Sequence, residues 1–174
     1  MTFVHGFPQV CISLGFAVDR IPVVGVVFNP FSQSLYTAIR GQGAFLNRKT
    51  KLPLKGSHLE ALRGLDSSLI AIEWGSEREG QNWDVKVRTF QKLCQSKEAG
   101  GAMVNSLRSS GSAALNFCSL STGLFVPWVQ VIRKLGLIAI PGCIDLYWEG
   151  GCFEWDVCAG WVILVEAGGV RTYS

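Results

Sequence analysis

A chain of 174 residues with 48% hydrophobic side chains is long enough for one domain with a real core and too short for two independent ones. Charged residues make up only 17%, the mean hydropathy is +0.28 and the net charge is +3, so some of the surface expects a covering partner and nucleic acid is not indicated. Six cysteines (Cys11, Cys94, Cys118, Cys143, Cys152, Cys158) stand in apolar contexts with no C-x-x-C pair, and Met1-Thr2-Phe3-Val4-His5 lacks the charged and apolar regions of a signal peptide, which together predict a reduced, cytoplasmic setting.

In chain order, apolar and small residues alternate over Val10–Val18, Val23–Phe28 and Ser34–Ile39, with turn chemistry at Asp19-Arg20 and Asn29-Pro30-Phe31-Ser32. This predicts an antiparallel meander. The glycines of Gly41-Gln42-Gly43-Ala44-Phe45-Leu46-Asn47 suit a bend, and the basic Arg48, Lys49, Lys51 and Lys55 after it read as a solvated turn. Ser67–Glu73 reads as a strand. Trp83, Val87, Phe90 and Leu93 recur at helical spacing and predict a surface helix with one buried face.

Ala102–Arg108 reads as a short strand leading into Ser110-Gly111-Ser112-Ala113-Ala114-Leu115-Asn116, the start of a helix ending near Gly123. A helix start with such small side chains offers free backbone N–H groups to an oxygen-rich ligand. Residues 124–143 form an apolar block broken by Pro127, Arg133, Lys134, Gly136 and Pro141, so they lack the roughly 18 uninterrupted apolar residues of a membrane span. Asp145–Glu149 is strand-like and ends before Gly150-Gly151. Trp155-Asp156-Val157-Cys158-Ala159-Gly160-Trp161 then opens an apolar helix, with Asp156 as a favoured N-cap, small residues in the first turn and Gly168 as the C-terminal stop.

The wording of these segments closely resembles the inositol monophosphatase family. Trp155-Asp156-x-Cys158-x-Gly160 followed by Glu166-Ala167-Gly168-Gly169 is similar to that family's second signature, with Cys158 where Ala is usual. Phe3-Val4-His5-Gly6-Phe7-Pro8, Gly41-x-Gly43-Ala44-Phe45-x-Asn47 and Asp145-x-Tyr147-x-Glu149 are similar to further elements, with Arg48 replacing a Gly. The resemblance covers about residues 2–123 and 144–172. It implies an α+β fold, the layered αβαβα arrangement of inositol monophosphatases and sugar phosphatases, in a single, incomplete domain over 1–174.

The same resemblance implies a magnesium-dependent, lithium-sensitive phosphatase that hydrolyses an inositol monophosphate or another small phosphate ester, often as a homodimer, with no membrane or nucleic-acid partner. Asp156 would bind Mg²⁺ and a substrate hydroxyl, Glu149 another hydroxyl, and Gly111, Ser112 and Ala113 would lie against the inositol ring. The family's first signature, Asp-Pro-x-Asp-Gly-Thr, directly precedes the Phe-Val-His segment and is not in this chain. Impaired catalysis is therefore expected of the chain as given, unless Glu73 or Asp145 completes the site. Between Thr122-Gly123 and Ile144 the family spends only one or two residues, so 124–143 reads as a foreign insertion.

Overall fold

Period-two alternation gives the first half of the molecule its shape. The structure, a computed structural model, describes residues 2–54, 64–123, 138–139 and 144–170. Strands β1 (Ile12–Val18), β2 (Ile21–Asn29), β3 (Ser34–Ile39), β4 (Gly43–Leu46) and β5 (Thr50–Lys51) form one antiparallel sheet in sequential order. The three-strand meander expected from the alternation is present, and the Gly41–Asn47 segment read as a bend contributes a fourth strand. Asn47 (φ 51°) and Arg48 (φ 60°) turn it into β5. Arg48 thus holds a left-handed conformation, the backbone need that a glycine would meet more cheaply.

The second sheet has the order β7–β6–β9–β8. Strands β6 (Leu69–Ile72), β7 (Ser106–Arg108) and β9 (Leu146–Trp148) run parallel, and β8 (Ile138–Ala139) pairs antiparallel to β9 at the edge. The strand read over Ala102–Arg108 is confined to its last three residues, because Ala102, Met103 and Val104 donate their N–H groups to the end of α1 (Gly80–Cys94) and the residue beyond it. Apart from β8, the 124–143 block lies outside the described residues, as does Cys143.

Helices α2 (Ala113–Ser121) and α3 (Glu154–Glu166) fill the space between the sheets. Val27, Ala38 and Ala44 of the first sheet pack with Leu115, Cys118, Ala159 and Ile163 of these helices. Ala71 and Tyr147 of the second sheet pack against their other side on Phe117, Leu120, Val157 and Leu164. The far face of the second sheet, Ile70, Ile72, Leu146 and Trp148, meets Leu93 of α1. The layers run sheet, helices, sheet, helix, which is the expected layered α+β fold with four of its five layers among the described residues. The outer face of the first sheet has no described cover, and Ile12, Leu14, Phe16 and Val18 of β1 are exposed there.

Helix α1 differs in one respect from its expected apolar stripe. Val87 and Phe90 are only partly covered, at 39% and 37% exposed, and the fully buried positions are Leu93 and Lys86. Lys86 is 1% exposed and donates from Nζ to the Trp74 carbonyl at 2.9 Å, so its stem packs as an apolar chain while its ammonium fastens a loop. Among the described residues no helix is long and apolar enough to cross a membrane.

Candidate active site

Three parallel strands point their C-terminal ends at one place. Glu73 follows β6, Ser109–Ser112 follow β7, and Glu149 follows β9. Open sheets with parallel strands bind ligands at that edge. A cleft of about 780 Å³ lies there, and all five residues expected from the sequence, Gly111, Ser112, Ala113, Glu149 and Asp156, line it. Cys11 just before β1, Ser13 of β1, Glu73, Trp74, Cys152 and Trp155 also contribute, none of which the motifs had assigned to the wall.

Helix α3 reaches the cleft because two glycines make room for it. Gly15 and Gly25 are cross-strand partners in β1 and β2. A Cβ on Gly25 would stand 2.3 Å from the Ala159 carbonyl oxygen, and one on Gly15 would stand 2.5 Å from the Cys158 sulfur. On the other side Gly160 lies so close to Phe117 that a Cβ would meet that ring's Cβ at 2.6 Å. The small residues predicted for close packing are therefore in use. The far end closes with Gly168 at φ 89°, whose N–H donates to the Val165 carbonyl at 3.0 Å while Gly169 donates to Leu164 at 2.9 Å.

Asp156 is not the N-cap expected from the sequence. The N-cap is Phe153, and Asp156 sits one turn inside, where its Oδ2 accepts the Phe153 N–H at 3.1 Å. The carboxylate still satisfies an otherwise orphaned donor and sits favourably at the positive end of the helix. From this position it also lines the cleft.

Glu149 is held by Tyr147, whose phenol donates to its Oε2. Tyr147 is buried and edge-on to Phe117, with ring centroids 5.5 Å apart. Burial, with the Glu149 charge beside it, pushes the Tyr147 phenol well above its ordinary range. Cys152 lies 3.9 Å from the same hydroxyl, and burial, then Glu149, pushes its thiol up to about 12. It is a protonated wall group rather than a nucleophile. The other described cysteines are also free, but Cys94 is exposed, so the reading of all six as lying in apolar surroundings fails there.

The helix start at Gly111-Ser112-Ala113 is partly occupied. Ser112 is the N-cap of α2 and accepts the Leu115 N–H at 3.4 Å, while the Gly111 N–H donates to Glu73 at 2.9 Å. The expected row of free N–H groups is thus shortened at its first member. Neither acid considered for completing a metal site is available. Glu73 is already engaged by donors from Ser109, Ser110, Gly111 and Asn116, and Asp145 lies at the opposite end of β9, where its Oδ2 accepts the Leu69 N–H at 2.6 Å. Among the described residues no group of three or more His, Cys, Asp or Glu could hold a metal ion, so these residues alone do not fit a magnesium site. The hydroxyl of Ser13, in the cleft wall, is buried with no partner among the described residues.

Comparison with known proteins places this cleft in context. The family model described as the inositol monophosphatase family matches residues 1–131 and 132–174, with its break inside the 124–143 block. Inositol monophosphatase 2 of Saccharomyces cerevisiae is 45% identical over 175 residues, covering 97% of this chain and 49% of the relative. Inositol monophosphatase 2 of Solanum lycopersicum is 37% identical, covering 97% of this chain and 52% of the relative. Among solved structures, Mycobacterium tuberculosis SuhB superposes with a TM-score of 0.69 at 25% identity, over 96% of this chain and 56% of that one. The extragenic suppressor protein SuhB of Bartonella henselae gives 0.71 at 25% identity, over 97% and 53%. The chain spans about half the length of the relatives it matches.

Proposed function

Because the chain belongs to the inositol monophosphatase family, we propose that its cleft takes the polyol part of an inositol monophosphate, and that the whole protein hydrolyses that ester to inositol and phosphate. In that reaction a water oxygen bonds to phosphorus, the ester P–O bond breaks, and the leaving inositol oxygen takes a proton. The observation that carries the reading is the convergence of Glu149, Asp156 and the Gly111–Ala113 turn on one cleft from three separate chain segments. Carboxylate and hydroxyl oxygens of this kind accept the hydroxyl donors of a polyol.

Magnesium would supply charge neutralisation of the phosphate when bound, and Asp156 would give it one hard oxygen. One such ligand does not hold it, so a second reading stands beside the first: this chain alone recognises polyol without turning ester over. The lack of a three-ligand group among the described residues favours it. Purified chain assayed with inositol 1-phosphate and magnesium, with and without lithium, tests the two. Little phosphate release is expected, and robust lithium-sensitive release would overturn the second reading. In a protein extended to family length, Glu149→Gln is expected to lower use of inositol phosphate about tenfold more than use of an aryl phosphate, the size of one lost charged hydrogen bond. A uniform loss across substrates would remove Glu149 from polyol recognition. The 124–143 block is read as a foreign insertion into one domain, tested by sequencing the transcript across its codons.

A further inference from the structure

Glu73 is the one cleft acid that no motif explains, and it is 6% exposed. Its Oε1 accepts from Ser110 N at 2.8 Å, Gly111 N at 2.9 Å, Asn116 Nδ2 at 2.9 Å and Ser110 Oγ at 3.3 Å, and its Oε2 accepts from Ser109 Oγ at 2.8 Å. No Lys or Arg pairs with it among the described residues. A buried carboxylate is tolerated only where donors satisfy it, and these five fix the position of this one. Where it stands is the N-terminus of α2, the end of a helix that ordinarily attracts an anion.

We infer that Glu73 is a positioning and specificity-determining residue: it builds the Ser109–Ser112 turn and keeps the mouth of α2 for neutral hydroxyl groups by excluding anions. Glu73 takes the N–H groups of Ser110 and Gly111, just before the N-cap Ser112, and its charge beside the helix start opposes that of a phosphate nearby. Glu149 and Asp156 add the same sign, and among the described residues no Lys or Arg lines the cleft. This inference rests on the polyol reading above and extends it, because it names the residue that shapes the turn and sets its preference for neutral groups.

The test uses the intrinsic fluorescence of Trp74 and Trp155, both in the cleft wall, to titrate the chain in a chelator with two probes, myo-inositol and inorganic phosphate. The parent is expected to prefer inositol. Glu73→Gln keeps an acceptor but removes the charge, and is expected to shift the ratio of the two affinities about tenfold toward phosphate, the size of a lost charged contact. Ser109→Ala leaves the charge in place and loosens only the turn, so inositol binding should weaken about threefold with phosphate unchanged. General damage lowers both affinities together and does not move the ratio. If Glu73→Gln does not fold, Ser109→Ala decides. An unchanged ratio in the variants that fold, with inositol still bound by the parent, overturns the inference alone. A parent that binds no inositol overturns the polyol reading and the inference with it.

Discussion

Asp156 does two things from one position: its Oδ2 takes the Phe153 N–H, and its carboxylate borders the cleft. Asn keeps an oxygen acceptor for the first and loses the negative charge for the second. In a protein of family length, Asp156→Asn is expected to remove turnover by at least about 100-fold, as when a group acting directly on transition-state charge is lost. The far-ultraviolet circular dichroism should be retained. Equal rate and equal magnesium dependence in the variant would leave Asp156 with its helix-end role alone. The cysteine beside it supplies a second expectation. The Cys152 thiol has an ordinary value of 9.0 and is pushed up to about 12, so the unfolded chain releases this proton before the folded one does. Stability from this group is complete below pH 9 and is lost as pH rises through the window to about 12. The buried Cys118 and Tyr147, shifted the same way, add to it. Thermal midpoints should therefore fall from pH 9 upward, and less steeply in Cys152→Ala; a flat profile through pH 11 would contradict the burial of these groups.

At the scale of elements, the distance between α3 and the first sheet is set by two absent side chains. Gly25→Ala would drive a methyl group into the backbone carbonyl of Ala159, which cannot swing aside as a side chain could, and is expected to cost about 1–3 kcal/mol in urea unfolding. It should also displace the first turn of α3 and weaken any ligand reporting on Asp156. A neutral Gly25→Ala would mean that the helix rides further from the sheet. Much of this was legible in the sequence, because alternation in β1 to β3 and the apolar run of α3 are local patterns. The short strands β4 and β5 were not, since four and two residues carry too little periodicity to separate a strand from a bend. Long-range clamps were also invisible. Glu166 of the Glu-Ala-Gly-Gly stretch accepts the Gly41 and Gly43 N–H groups, each at 2.8 Å, across more than 120 residues of chain. Glu73 likewise looked like the end of a strand, and nothing near it in the chain foretold its donors from Ser109 to Asn116.

Taken whole, the described residues cover the second sheet on both faces and the first on one. Its described layers end at an apolar sheet surface, with Ile12, Leu14 and Phe16 of β1 each about 60% exposed, and such a surface marks a place for a partner or an aggregation hazard. Replacing Leu14 and Phe16 with Thr and Lys should raise the soluble yield of the chain expressed alone, read by light scattering, while leaving its circular dichroism unchanged. Reduced yield would show that the face is already covered. The two sheets also differ in how far along the chain their partners lie. The first is a hairpin meander, whereas β6 pairs with β9 from Ile70 to Leu146, across the 124–143 block. Closing long loops costs entropy before any contact rewards it, so the meander is expected to form early in folding and the parallel sheet late. The cleft exists only at the ends of that late sheet. Its appearance would therefore mark the last step of folding, and a polyol that occupies it would hold the finished chain against unravelling from its slowest-made seam.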